Sequence, residues 1–152
     1  MQKSWITVKP DPIDTAALEN RVAEASMRVG AVVSFSGLVR DFNEGGSILG
    51  LELEHYPGMT EKSLAKIIDD AAERWPIIAV SVAHRVGKIL NGEVIVHVSV
   101  SSEHRLAAFE ACEFIMDYLK TGAPFWKKEI TQSGGEWVEA KSTDEAAVER
   151  WR

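Results

Sequence analysis

The sequence predicts an α+β fold, a single domain with a mainly antiparallel sheet and one long, mostly buried helix. The order of strand-like and helix-like segments along the chain is typical of this class. Asn91-Gly92 marks a tight turn between apolar segments, and the stretch 105–120 is apolar around most of a helix circumference. The 152 residues, 45% of them hydrophobic, fit one domain covering 1–152, which can bury roughly 70% of its unfolded surface.

Six segments are predicted over the first half of the chain. Asp14 can cap a helix, because its carboxylate can accept from a free N–H of the first turn. Small and β-branched residues favour a buried strand that ends at Arg40. Leu49, Leu51 and Leu53 alternate with other residues, as in a strand with one solvated face. The predicted order is a strand at 5–8, a helix from Asp14 to about Met27, a strand at 30–40, a loop at 41–47, a strand from Leu49 and a helix at 60–75 capped by Thr60.

The second half is predicted to contain four strands and two helices. Two apolar strands flank the connection VGKILNGE, and the long helix follows them. A hairpin and a short terminal helix complete the chain. The predicted order is strands at 77–84 and 94–100, a helix ending near Lys120, strands at 125–131 and 137–140, and a helix from Ser142 or Thr143.

Basic residues stand at both ends of the long helix. His104 and Arg105 lie in its first turn, Lys120 in its last, and Lys127 and Lys128 follow a Pro-Phe-Trp corner. A helix start favours acidic side chains, because its unpaired N–H groups already carry partial positive charge. Additional positive charge there suits a site for an anion. The pattern therefore predicts a small anionic ligand.

Composition narrows the partners and the compartment. The formal net charge of −6 repels polyanions, so nucleic acid is not expected as a partner. No stretch has the ~18 apolar residues that span a bilayer, and the first residues lack the apolar core of a secretory signal. Cys112, the single cysteine, agrees with a reducing compartment. We expect a cytoplasmic, soluble protein without a metal site.

The two basic clusters cannot touch one small ligand within a single chain. The fifteen residue steps from Arg105 to Lys120 span about 22 Å of helix. Either the clusters serve separate purposes, or a two-fold dimer brings the helix start of one subunit beside the helix end of the other. We favour the homodimer.

Three stretches together resemble one known family. GLVRDFN at 37–43, the block 101–129 with its EHR, FIMDYLK and PFWKKE segments, and WVEAK at 137–141 are similar to the catalytic, larger subunit of molybdopterin synthase. The resemblance extends over nearly the whole chain. It implies an α/β hammerhead-like domain that dimerises and works within a heterotetramer. It also implies a ubiquitin-like small subunit as partner, whose C-terminal Gly-Gly tail carries a thiocarboxylate. The implied reaction transfers two sulfurs to cyclic pyranopterin monophosphate and forms the dithiolene of molybdopterin.

The resemblance also assigns site residues. It places the catalytic lysines at Lys120 and Lys127. Lys141 stands where the family pattern has arginine, so the charge is kept while the bidentate fork is lost. Substrate-binding residues are then Arg40, His104, Arg105 and Lys141 as a phosphate cradle, with Phe35 and Met116 lining the pterin pocket.

Two lysines held close together lose a proton more readily, so one can act as proton donor or nucleophile. We assign acid–base or covalent work on the pterin to Lys120 and placement of the thiocarboxylate to Lys127, although the two roles could be exchanged. Lys128 should matter less, because neighbouring strand residues face opposite ways. Mid-helix Cys112 is interpreted as a small hydrophobe, so sulfur must arrive on the partner.

Other interpretations stay open at this point. His55, His84 and His97 lie on separate strands and are interpreted as core or rim residues, and the basic segment 84–88 as a solvated loop. A non-catalytic dimeric module could use the same basic pocket for a phosphorylated metabolite or a partner's C-terminal carboxylate. A purely structural dimer is the third possibility.

Overall fold

A computed structural model describes residues 2–40, 48–131, 134–138 and 142–152. Lys141 and the loop 41–47 lie outside the described residues. The elements are β1 (Lys3–Lys9), α1 (Thr15–Ala23), β2 (Ala31–Leu38), β3 (Ile48–His55), α2 (Met59–Arg74), β4 (Ile77–Arg85), β5 (Gly87–Leu90), β6 (Val94–Ser102), α3 (Arg105–Gly122), β7 (Phe125–Thr131), β8 (Gly134–Val138) and α4 (Ser142–Glu149).

The described strands form two four-stranded sheets. The first has the order β1-β4-β6-β2, and the second has the order β5-β3-β7-β8. Only the β1–β4 pair is parallel among these strands. The prediction of an α+β domain with mainly antiparallel pairing is confirmed, and the strands divide between two sheets.

The main core lies between the first sheet and helices α2 and α3. Val80 and Val98 from the sheet meet Ile115 from α3, and all three are fully buried. Helix α1 packs on the opposite face of the same sheet. The central strands β4 and β6 are therefore covered on both faces, which explains why nearly all of their residues are buried.

Several predicted element boundaries were wrong. The connection VGKILNGE contains a strand of its own, β5, which leaves the first sheet to pair with β3 in the second. The tight turn is present, with Gly92 at φ +88°, and it joins β5 to β6. The Asp14 cap is confirmed by its carboxylate accepting from Ala17 N at 3.1 Å, but α1 already ends at Ala23. Helix α2 begins after Gly58, so Thr60 lies within it.

Two burial predictions also need correction. The strand predicted at 30–40 to be buried is β2, an edge strand on which Phe35 is 42% exposed. Helix α3 is buried along its middle, but Leu106 and Phe109 near its start are 68% and 59% exposed. Apolar composition alone does not distinguish a core face from a face left open for a ligand or partner.

No helix in the described part of the chain is long and apolar enough to cross a bilayer.

Candidate functional site

The ends of several elements meet at one edge of the first sheet. Strand β2 ends at Leu38 opposite Val94, where β6 begins, and β4 ends nearby with His84 opposite Val96. Helix α3 packs along β6 and follows it in the chain, so its last turn with Lys120 returns to this same edge. Arg40 follows β2 directly, on the exposed surface. The topology therefore places Arg40 and Lys120 on the same side of the domain.

A cavity of about 440 Å³ lies between β2 and α3. Its wall is mainly apolar, with a few charged side chains toward the end of the helix. The predicted pocket residues Phe35 and Met116 both line it, together with Lys120. The lining residues are Val33, Ser34, Phe35, Phe109, Cys112, Glu113, Met116, Asp117 and Lys120.

The two acidic residues of this cavity are already paired with the C-terminal segment. Arg150 donates to Glu113 and, at 2.7 Å, to Asp117, and the indole N–H of Trp151 donates to Asp117 at 2.6 Å. These bonds hold the carboxylates and offset their charge. Lys120 is then the cation that an anionic ligand meets in the cavity.

Lys127 projects from the inner face of β7. It lies opposite Leu53, which is 1% exposed, and its own side chain is half-buried. Lys128 lies opposite Glu52 and belongs to the other face of the strand. The expected difference in direction between the two lysines follows from this register.

The pKa of the buried His84 responds to the charges of both lysines. Its side chain is 5% exposed, and burial lowers the pKa of His84 to about 4, with the charges of Lys127 and Lys120 acting in the same direction. The interpretation of His84 as a core residue is confirmed by this burial, and its ring stacks on Phe125 at the start of the strand that carries Lys127.

Sequence reasoning missed the contacts around His84. Phe125 stacks on His84, with ring centroids 4.0 Å apart, and lies 6.3 Å from the His55 ring. The Thr60 hydroxyl donates to the Tyr56 carbonyl, so it is left to accept from Nδ1 of His55 at 3.1 Å. His55, His84 and Phe125 come from three different strands that only the fold brings together, so no local sequence spacing could have indicated the stack of Phe125 on His84.

The basic segment 84–88 is not a solvated loop. Arg85 is 7% exposed, donates from Nε to the Pro10 carbonyl at 3.2 Å and forms an ion pair with Glu93 at 3.1 Å. It ties the end of β4 to the N-terminal segment and to the β5–β6 turn. Because Arg85 is the next residue in the chain, these bonds also hold the backbone at His84 in place.

His104 and Arg105 lie at the other end of α3, near the start of β2, and both are exposed. Helix geometry keeps them about 22 Å from Lys120 within one chain. The structure of one chain therefore does not bring them to the lysines.

Cys112 has none of the features of a reactive thiol. Although it borders the cavity, its side chain is 4% exposed and its Sγ lies 3.9 Å from the Val98 carbonyl. Burial, followed by the charge of Glu113, raises the pKa of the Cys112 thiol to about 12. A negligible fraction is thiolate at neutral pH.

Comparison with known proteins identifies the family. The model of the MoaE protein family matches residues 8–122, more than half of the chain. The molybdopterin synthase catalytic subunit of Vibrio cholerae is 53% identical over 146 residues, covering 96% of this chain and 97% of the relative. The Escherichia coli subunit of the same name is 52% identical over 151 residues, covering 99% and 100%. A solved structure, the molybdopterin biosynthesis MoaE protein from Burkholderia ambifaria, superposes with a TM-score of 0.83 at 48% identity, covering 99% of this chain and 98% of that one. The chain therefore belongs to the MoaE family, to which molybdopterin synthase catalytic subunits belong.

Proposed function

We propose that the chain is the catalytic subunit of a cytoplasmic molybdopterin synthase. It transfers sulfur from the thiocarboxylated tail of a ubiquitin-like small subunit to cyclic pyranopterin monophosphate, forming the dithiolene of molybdopterin. The observation that carries the proposal is the mainly apolar cavity that Lys120 lines together with Phe35 and Met116. The names of the similar Vibrio and Escherichia proteins support the same activity.

The two lysines have different surroundings, which supports different roles. Lys120 is exposed at the end of α3 and lines the cavity, so it can reach a pterin seated against Phe35 and Met116. We assign acid–base or covalent work to it. Lys127 is half-buried on the inner face of β7. We assign to it the role of a fixed positive charge that holds the thiocarboxylate or a developing oxyanion.

The phosphate of the substrate is assigned to the basic residues Arg40, His104, Arg105 and Lys141. Arg40 lies on the same side of the domain as Lys120, whereas His104 and Arg105 lie about 22 Å along α3. A two-fold dimer, in which the start of one α3 approaches the end of its partner's α3, completes the cradle. We therefore propose a homodimer within a heterotetramer.

The dimer hypothesis makes a complementation prediction. An Arg105→Ala subunit keeps Lys120, and a Lys120→Ala subunit keeps Arg105. Each mixed dimer then contains one intact composite site, so it should regain about half of the wild-type activity per dimer. The measurement is product formation by purified heterodimers carrying two different affinity tags. Heterodimers as inactive as the parent variants would contradict a shared site.

Sulfur should not pass through this chain's own thiol. We expect Cys112→Ser to retain product formation within about twofold, because a buried thiol without thiolate character cannot accept sulfur as a nucleophile. The assay is run well below the melting temperature, since burying the serine hydroxyl can lower the free energy of unfolding by about 1–3 kcal/mol. A folded but inactive Cys112→Ser protein would instead assign sulfur transfer to this residue.

Reconstitution tests the proposed function as a whole. Purified chain, thiocarboxylated small subunit and cyclic pyranopterin monophosphate should together give dithiolene product, and omission of any one should give none. If the chain binds the small-subunit tail or the phosphorylated pterin without turnover, it is a non-catalytic binding module. If it forms a dimer that binds neither, its role is structural.

A further inference from the structure

His84 is held in place from two directions. Its Nδ1 lies 2.8 Å from the Arg85 carbonyl oxygen, and because a carbonyl only accepts, Nδ1 carries the proton. The neutral ring then keeps Nε2 as an acceptor. One ring face stacks on Phe125 at a centroid distance of 4.0 Å and an interplanar angle of 21°. The orientation of the imidazole is therefore fixed by a backbone bond and an aromatic contact.

The stack fixes the strand that carries Lys127. Phe125 is the first residue of β7, and Lys127, two residues later, lies on the same face of the strand. Only the short link 123–124 separates β7 from the end of α3, and the amide of Phe125 donates to the Ala123 carbonyl at 2.9 Å. A shift of Phe125 would therefore displace Lys127 relative to Lys120.

The buried ring must also be uncharged. Lys127 from β7, Lys120 from α3 and His55 from β3 all disfavour a proton on His84. A second ammonium in place of His84 would repel the lysines, and an aliphatic side chain would give Phe125 no planar partner. A neutral imidazole meets both requirements at this position.

We propose that His84 is a positioning residue, a neutral platform beneath Phe125 that sets the distance and direction of Lys127 relative to Lys120. The inference rests on the proposed sulfur transfer and adds a residue to its machinery. His84 does not touch the substrate; it acts through Phe125 and β7. Its contribution should therefore be seen in turnover rather than in binding of the small subunit.

Three variants separate positioning from packing. His84→Ala removes the platform and should lower kcat by about 10–100-fold, as expected for catalytic groups displaced by a fraction of an ångström to 1 Å, with KM for the small subunit changed less than about threefold. His84→Phe keeps a stacked neutral ring and should restore kcat to within about threefold of wild type. His84→Leu fills the space without a planar face and should be as slow as His84→Ala; it replaces that variant if His84→Ala fails to fold.

His97→Ala is the matched control. His97 is fully buried, donates or accepts at Ser36 (2.7 Å) and Ser99 (2.5 Å), and lies on the neighbouring strand. Its loss should lower stability by about 1–3 kcal/mol without changing kcat of the folded fraction. If His97→Ala lowers kcat as much as His84→Ala does, the effect is general loosening of the sheet and the proposal is overturned.

A readout without substrate keeps the inference independent of the proposed activity. Amine-selective acylation of the free protein, mapped by peptide mass spectrometry, should label Lys127 several-fold faster in His84→Ala or His84→Leu than in wild type, because its strand start is released. Labelling of Lys66, exposed and paired with Asp70 at 3.0 Å, should not change. If Lys127 is labelled at the wild-type rate in both variants, the positioning role is refuted. A wild-type chain that makes no product refutes the proposed function alone, and the labelling still decides the role of His84.

Discussion

Replacing Lys120 with alanine should lower the rate of dithiolene formation by at least about 100-fold, while the fold is retained. Lys120 is the cation at the end of the apolar cavity whose acidic residues are paired with Arg150. Loss of a group that transfers a proton or stabilises developing charge typically costs about 10²–10⁴ in rate. Because the side chain is exposed, the unfolding free energy should change by less than about 1 kcal/mol. Single-turnover assays with thiocarboxylated small subunit measure the loss.

A charge-conserving variant tests which kind of work Lys120 does. Lys120→Arg keeps a cation at the end of α3, but a guanidinium neither gives up its proton near neutral pH nor forms a covalent adduct as an amine does. We expect Lys120→Arg to be nearly as slow as Lys120→Ala. Lys128→Ala, on the outer face of β7, is the control, and its rate of dithiolene formation should stay within about threefold of wild type.

Near-normal turnover by Lys120→Ala would remove Lys120 from the catalytic assignment.

The sequence predicted those parts of the molecule that depend on local pattern. The Asp14 cap, the Asn91-Gly92 turn and the long helix from 105 are each encoded by neighbouring residues, and the structure contains all three. Strand β5 was missed because four residues, GKIL, in a connection have no clear period of their own. It forms because β3 offers a partner in a second sheet.

The site was predicted in part. Lys120 was assigned by resemblance, Phe35 and Met116 were proposed to line the pterin pocket, and the fold places all three around one cavity. His84 and Phe125 come from strands of different sheets and meet only in the folded chain. A lone histidine in an apolar segment is interpreted as a core residue, and only the folded structure shows its stack on Phe125 at the start of β7.

The same buried histidine should make the protein unstable in mild acid. In the unfolded chain His84 titrates near its usual pKa of 6.5, whereas burial and the two lysines lower its pKa to about 4 in the folded protein. Above pH 6.5 the ring is neutral in both states, so it contributes no pH dependence. Between pH 6.5 and 4 only the unfolded chain takes up the proton, and stability falls as the pH falls. At about 1.4 kcal/mol per unit, the loss amounts to about 3 kcal/mol by pH 4.

Urea unfolding of wild type and His84→Phe between pH 7 and pH 4 isolates this effect. His84→Phe keeps the stacked ring but cannot bind a proton, so its free energy of unfolding should fall less steeply with acid than that of wild type. The difference in unfolding free energy between the two proteins should change by about 3 kcal/mol in favour of His84→Phe over the range. Burial also lowers the pKa of His97, but His97 is present in both proteins and cancels in the difference. Parallel curves would mean that His84 is protonated as readily in the folded protein as in the unfolded chain. A ring that easily gained a charge could not serve as a neutral platform beneath Phe125.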